Sequence, residues 1–225
     1  VNGRSLLVIA LLAGAAGAAG YYFLVESRPA ASPAESATVV PAVPAEASAT
    51  PRLASVIPEF ELADREGTLR SVRTDWPGQA LIINFWATWC APCRREIPLL
   101  KQLASDHAGE GFQVIGIAVD FRDKVLAYAD EMQIDYPMLI GEQDALDAAA
   151  AFGVEAVGLP FTIFTDNTGR VITLHMGELT AAEAAIILAA VREVNAGRSD
   201  PLQARAAIEA GLTALPPESA AKSAG

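Results

Sequence analysis

Cysteine and histidine are nearly missing from this chain: two of each stand among 225 residues, and nowhere do lysine and arginine gather into a basic run. A structural zinc site takes four ligands at short, regular spacings. His107 and His175 lie far from both cysteines and in no metal-ligand spacing with them, so a zinc site is excluded. Binding of nucleic acid leans on a positive footprint that releases counterions. A chain with 27 acidic residues against 16 basic ones, net charge −11, offers none. The same acidic balance argues against a globular part lying flat on anionic lipid.

What the chain does have is a pair of cysteines in one place, Trp89-Cys90-Ala91-Pro92-Cys93, directly after the apolar run 80–87. A disulfide that closes so small a ring staples almost no chain, so its contribution to stability is slight and chemistry explains it better than scaffolding. The local pattern is strand, turn, helix. Cys90 falls at the helix N-terminus, where unpaired backbone donors and the positive end of the dipole favour a thiolate. Pro92 suits the first turn because it lacks the N–H that would be orphaned there. Arg94 and Arg95 follow and add positive potential. Cys90 is expected to be the exposed nucleophile, and Cys93, one turn further in, the resolving thiol.

Residues 6–25 carry no charge and, as a helix, would reach about 30 Å, enough to cross a bilayer. Arg4 precedes the stretch and favours the cytoplasm for the N-terminus, while Tyr21, Tyr22 and Phe23 form an aromatic belt near its outer end. A cleaved signal peptide is the competing reading, since small residues from Ala13 to Gly20 could supply a cleavage site. Because apolar sequence continues to Val25, an uncleaved anchor over 1–26 is favoured. Either way the rest is exported, where disulfide chemistry persists. Residues 27–55 are almost wholly Ala, Pro, Ser, Val, Thr and Glu and read as a tether.

One domain is expected over 56–197, followed by a C-terminal tail over 198–225 with a weak amphipathic stretch near 202–212. A short hairpin flanks Asp64 to Gly67. The continuous apolar runs 80–85 and 112–119 read as buried parallel strands joined through the helix that starts at Cys90 and contains Pro98. Further helices are expected at 122–132 and 143–152, the latter capped by Gly153, with a short strand at 138–140 between them. Strands 161–165 and 171–174 form a second hairpin. Thr180 and Glu183 make a capping box that starts a last long helix. The fold class is α/β, a mixed central sheet flanked by helices.

The stretch NFWATWCAPCRREIP, residues 84–98, together with Gly158-Leu159-Pro160 before FTIFTDNTGRV, resembles the membrane-anchored thioredoxin-fold proteins of the TlpA/ResA/DsbE type over about 56–194. That resemblance implies a thioredoxin-like fold and thiol:disulfide interchange with no cofactor and no metal. It implies a cis bond before Pro160, opposite the dithiol, with the backbone of Leu159 free to pair with an extended substrate segment. Trp89, Ala91 and Pro92 would complete the substrate contacts, although Trp86 and Trp89 also read as ordinary core.

An acidic residue stands in the family at the position of Glu96, three residues beyond Cys93 on the same helix face. A partly buried carboxyl there would trade protons with Cys93. The plainer alternative is a Glu satisfied by the helix dipole or by Arg95. Asn84 occupies the place of the buried Asp of ordinary thioredoxins and cannot ionise, which moves acid/base duty toward Glu96.

The resemblance also implies a setting: the bacterial inner membrane, with the N-terminus cytoplasmic and the catalytic domain periplasmic. Electrons would come from a membrane thiol donor. The partners would be cysteine-containing exported proteins, such as apocytochromes c awaiting haem or copper-site proteins. Two rival readings stay open: an oxidase or isomerase of exported proteins, and a Cu(I) carrier using Cys90, Cys93 and His175.

Overall fold

The computed structural model describes residues 53–155 and 158–216. The apolar stretch 6–25 and nearly all of the tether lie outside the described residues. Among the described residues no helix is long and apolar enough to cross a membrane.

Among the described residues seven strands form one sheet: β1 (Glu61–Asp64), β2 (Leu69–Ser71), β3 (Ala80–Trp86), β4 (Phe112–Val119), β5 (Met138–Gly141), β6 (Phe161–Thr165) and β7 (Val171–Met176). Their order across it is β2-β1-β5-β4-β3-β6-β7. β3 pairs in parallel with β4, and β4 with β5, while the remaining pairs are antiparallel. The helices of the described residues are α1 (Ala91–Asp106), α2 (Arg122–Glu131), α3 (Gln143–Ala151), α4 (Ala181–Asn195) and α5 (Pro201–Thr213). This is a thioredoxin-like α/β fold with a mixed sheet, as the sequence led one to expect.

β3 runs through the middle of the molecule, and every one of its residues is buried. Side chains alternate across a strand, so Ala80, Ile82 and Trp86 enter one core, shared with α1, α2, α4 and α5. Leu81, Ile83 and Phe85 enter the other, which α3 covers with Ala145, Ala148 and Ala149. Phe85 stacks on Phe161 there, ring centroids 4.5 Å apart. A strand apolar in both directions can be placed only between two layers, which explains its continuous apolar sequence.

The local signals hold at several junctions. Asp64 accepts the N–H groups of Glu66 and Thr68 and closes the first hairpin. Gly153 follows α3 with φ 85°, and Val154 N–H reaches back to Ala149 O, which satisfies the helix end. Thr180 and Glu183 form their reciprocal capping box at the start of α4.

Residues 201–213, read from sequence as a weak amphipathic stretch within a tail, form a regular packed helix. Asp200 accepts the N–H groups of Leu202 and Gln203, and Gln203 returns a bond to Asp200 N–H. Ala204 and Ile208 are buried. Arg205 donates to the carbonyls of Val171 and Ile172 at 2.8 Å, fastening the helix to β7. Gly211 permits the close crossing over α4, because a Cβ there would meet Ile186 Cγ2 at 2.8 Å. Asp200-Pro201 with Gln203 is a start signal of the same kind as Thr180 with Glu183. Replacing Asp200 with Ala should therefore lower the unfolding free energy by about 1 kcal/mol in urea titration while leaving disulfide exchange unchanged.

Candidate functional site

The dithiol sits where β3 leaves the sheet. A turn over 87–90, closed by Cys90 N–H to Ala87 O at 3.2 Å, delivers Cys90 to the start of α1. Cys90 is the N-cap, in extended conformation, and its Sγ accepts the N–H of Cys93 at 3.3 Å. Pro92 occupies the first turn, and that turn contains no acidic residue. The bonds and the dipole there all favour negative charge on the outer sulfur.

Cys90 and Cys93 are joined as a disulfide. The order of exposure is the expected one, 5 % for Cys90 and none for Cys93, but Cys90 is not an exposed side chain in this oxidised state. The covalent bond to Cys93 holds the sulfur against the start of α1, where it also accepts the Cys93 N–H. Exposure belongs instead to its neighbour: Trp89 is 67 % exposed, whereas Trp86 is entirely core.

Glu96 lies on the same buried face of α1 as Cys93, and is 2 % exposed. Asn84 Nδ2 donates to its Oε1 at 2.7 Å, and Leu179 N–H donates to its Oε2 at 2.8 Å. Arg95 is not its partner, since that guanidinium is engaged twice by Glu178. Of the two readings of Glu96, the one that ties it to Arg95 is thus corrected. Burial raises the Glu96 pKa from 4.5 to about 7, with the charge of Glu178 adding to the rise and the bonds from Leu179 and Asn84 opposing it. Asn84 also donates to Thr162 Oγ1 at 3.0 Å, so a polar thread runs from β6 through β3 to α1.

The Leu159–Pro160 bond is cis. Pro160 is buried and Leu159 half-buried. Leu159 and Gly158 line a cleft of about 710 Å³ together with Trp89, Leu146 and Phe161, which sets the 158–160 loop beside the dithiol loop. Ala91 is exposed and Pro92 half-buried in the first turn of α1.

His175 does not join the cysteines. Its Nε2 lies 3.4 Å from the carbonyl of Glu178 and 3.9 Å from Glu183 Oε2. Among the described residues no group of three or more His, Cys, Asp or Glu side chains is placed to hold a metal ion. Thr162 and the backbone of Leu179 are the participants that sequence reading missed. Neither carries a motif, because one contributes a hydroxyl from across the sheet and the other only an N–H.

The model of the AhpC/TSA family matches residues 53–174. The thiol-disulfide oxidoreductase ResA of Geobacillus thermodenitrificans is 32 % identical over 127 residues, 56 % of this chain and 70 % of that protein. The thioredoxin-like protein YneN of Bacillus subtilis is 32 % identical over 132 residues, 56 % of this chain and 72 % of its own length. Among solved structures, a putative thiol:disulfide interchange protein DsbE from Chlorobium tepidum is similar with TM-score 0.55 and 25 % identity, covering 62 % of this chain and 98 % of that one. The chain belongs to the AhpC/TSA family, within the thioredoxin superfamily, and is related to the thiol-disulfide oxidoreductases of the ResA/DsbE/TlpA type. It is a thiol-disulfide oxidoreductase, and Cys90 with Cys93 is its catalytic dithiol.

Because the folded state holds the Glu96 proton up to about pH 7 whereas the unfolded chain releases it near 4.5, the folded state binds more protons between those values. Stability therefore falls as pH rises through that window. Glu96→Gln removes the titration, and its unfolding free energy relative to wild type should climb between pH 5 and pH 8 by up to about 3 kcal/mol. Urea titrations of both proteins across that range check the slope.

Proposed function

We propose that this oxidoreductase runs as a reductant of disulfides in exported proteins, held at the bacterial inner membrane by residues 1–26. On this reading residues 27–55 tether the catalytic domain, expected over 56–197, on the periplasmic side. The lack of charge over 6–25 and the Pro/Ala composition beyond it support that arrangement. Electrons enter from a membrane thiol donor. Apocytochromes c awaiting haem, or proteins whose cysteines take copper, are the class of partner.

In the forward step the Cys90 thiolate attacks a partner disulfide. The partner's S–S bond breaks, a mixed disulfide to Cys90 forms, and one partner sulfur leaves as a thiolate. Cys93 then gives its proton to the Glu96 carboxylate and attacks Cys90 Sγ. The internal disulfide forms and the second partner thiolate is released, so two electrons pass from the dithiol to the partner. The partner's cysteine segment lies extended against Leu159 and Pro160 and touches Trp89, Ala91 and Pro92, in the manner of strand addition.

The observation that carries the exchange step is the pairing of depth and proton affinity: Cys93 has no exposure, and Glu96, on the same face, keeps its proton to about pH 7. A resolving thiol sealed from water needs a proton acceptor inside the protein, and a carboxyl near neutrality can serve in both directions.

The Cys93→Ala protein should accumulate partners as mixed disulfides on Cys90, isolated from membranes and located by peptide mapping. Trapping instead on Cys93 in the Cys90→Ala protein, with none on Cys90, would reverse the assignment of nucleophile and resolving thiol.

A further inference from the structure

The turn that carries the nucleophile is held by a residue the mechanism above does not use. Asp120 follows β4 and is 6 % exposed. Its Oδ2 accepts the backbone N–H of Thr88 at 3.2 Å and, over a shorter distance, the Thr88 hydroxyl. Its Oδ1 accepts Phe121 N–H at 2.8 Å, and its own N–H is fixed to Gly141 O at 3.1 Å. Among the described residues no lysine or arginine pairs with this carboxylate.

A carboxylate buried without a counter-ion costs stability, and only its hydrogen bonds offset that cost. Two of the three go to Thr88, a residue that lies two positions before Cys90 and carries no chemistry of its own. An apolar side chain at 120 would remove the cost, so the retained charge points to the turn as its purpose. Within itself the turn is closed by the bond from Cys90 N–H to Ala87 O, and its far end is tied to α1 through Arg94 N–H to Cys90 O at 3.1 Å, while Thr88 is held by Asp120. Trp89, next to Thr88, is 67 % exposed, and Phe121, whose N–H the carboxylate also holds, is 55 % exposed.

We propose that Asp120 is a positioning residue for thiol exchange: acting through Thr88, it fixes the 87–90 turn, and with it the N-cap geometry of Cys90 and the outward stance of Trp89. The inference builds on the assignment of Cys90 as the attacking thiol. Charge-assisted bonds to a rigid acceptor are the strong kind, and one acceptor shared by the N–H and the hydroxyl of one residue restrains both its backbone and its rotamer.

The test is the pH dependence of iodoacetamide alkylation of the reduced full-length protein, with the modified cysteine identified by mass spectrometry. Thr88→Val keeps the side-chain shape and removes the hydroxyl; Thr88→Ser restores it; Asp120→Asn removes the charge. Every variant keeps Arg94, Arg95 and Glu96. Loosening an N-cap withdraws support from the thiolate, so Thr88→Val and Asp120→Asn should each raise the Cys90 midpoint by about half a pH unit or more. Thr88→Ser should stay at the wild-type value, and the double variant should move no further than the larger single, since both act through the one contact of Thr88 with Asp120. Removing a negative charge would by itself lower the midpoint, so a fall in Asp120→Asn overturns positioning in favour of a plain charge effect. An unmoved midpoint in Thr88→Val with native near-UV circular dichroism also overturns it, and that variant decides the matter if Asp120→Asn fails to fold. First labelling of wild type at Cys93 is a different failure, that of the nucleophile assignment.

Discussion

Strand β3 has to satisfy two hydrophobic cores at once, and most of the site follows from how it does so. Six of its seven residues divide between the two faces as apolar side chains, and the seventh, Asn84, is polar with no exposure. A buried amide must be given partners, and it has two through its Nδ2, Thr162 on β6 and Glu96 on α1. The same strand ends at the turn that places Cys90 on the N-terminus of α1. One central strand thereby fixes both the sulfurs and the carboxyl behind them.

The two cysteines meet opposite environments within one helical turn. Cys90 caps the helix, accepts an N–H and has no acidic neighbour in the first turn, conditions that stabilise negative charge. Cys93 is sealed in the core, where a thiolate is disfavoured unless its proton has somewhere to go. In the mechanism we propose, Glu96 answers that need, because its own charge is disfavoured by the same burial. Two buried groups that each resist ionisation can exchange one proton at little net cost, which neither could do with water. Arg95, by pairing with Glu178, keeps the guanidinium away from Glu96 and leaves desolvation in control.

Elements with a periodic pattern or a local signal were legible in the sequence: the buried parallel strands, the hairpin at Asp64, the Gly153 cap, the Thr180 box. The dithiol at a strand–helix junction was legible from Cys90 to Cys93 alone, and the cis bond before Pro160 from the family resemblance. What escaped depends on contacts between distant segments. Leu179 serves through its backbone and Thr162 through a hydroxyl across the sheet, so neither leaves a mark in its own neighbourhood. Thr88 and Asp120 each look like ordinary ends of strands until the parallel pairing of β3 with β4 brings the two ends together. The α5 helix had a readable start at Asp200, but its low amphipathic contrast hid a packing that rests on small residues, Ala204 and Gly211, and on Arg205 reaching β7. Cys90 was expected to be exposed from its place at the helix N-terminus, yet the disulfide to Cys93 holds its sulfur inward in the oxidised form.

The central claim is that Glu96 is the internal proton partner of the dithiol, and carbon-13 NMR of its side-chain carboxyl tests it most directly. Titration of the oxidised protein should give a midpoint near 7, far above the ordinary 4.5, and reduction of Cys90–Cys93 should shift that midpoint because Cys93 then shares the proton. A midpoint near 4.5 that stays the same in oxidised and reduced protein would contradict the account.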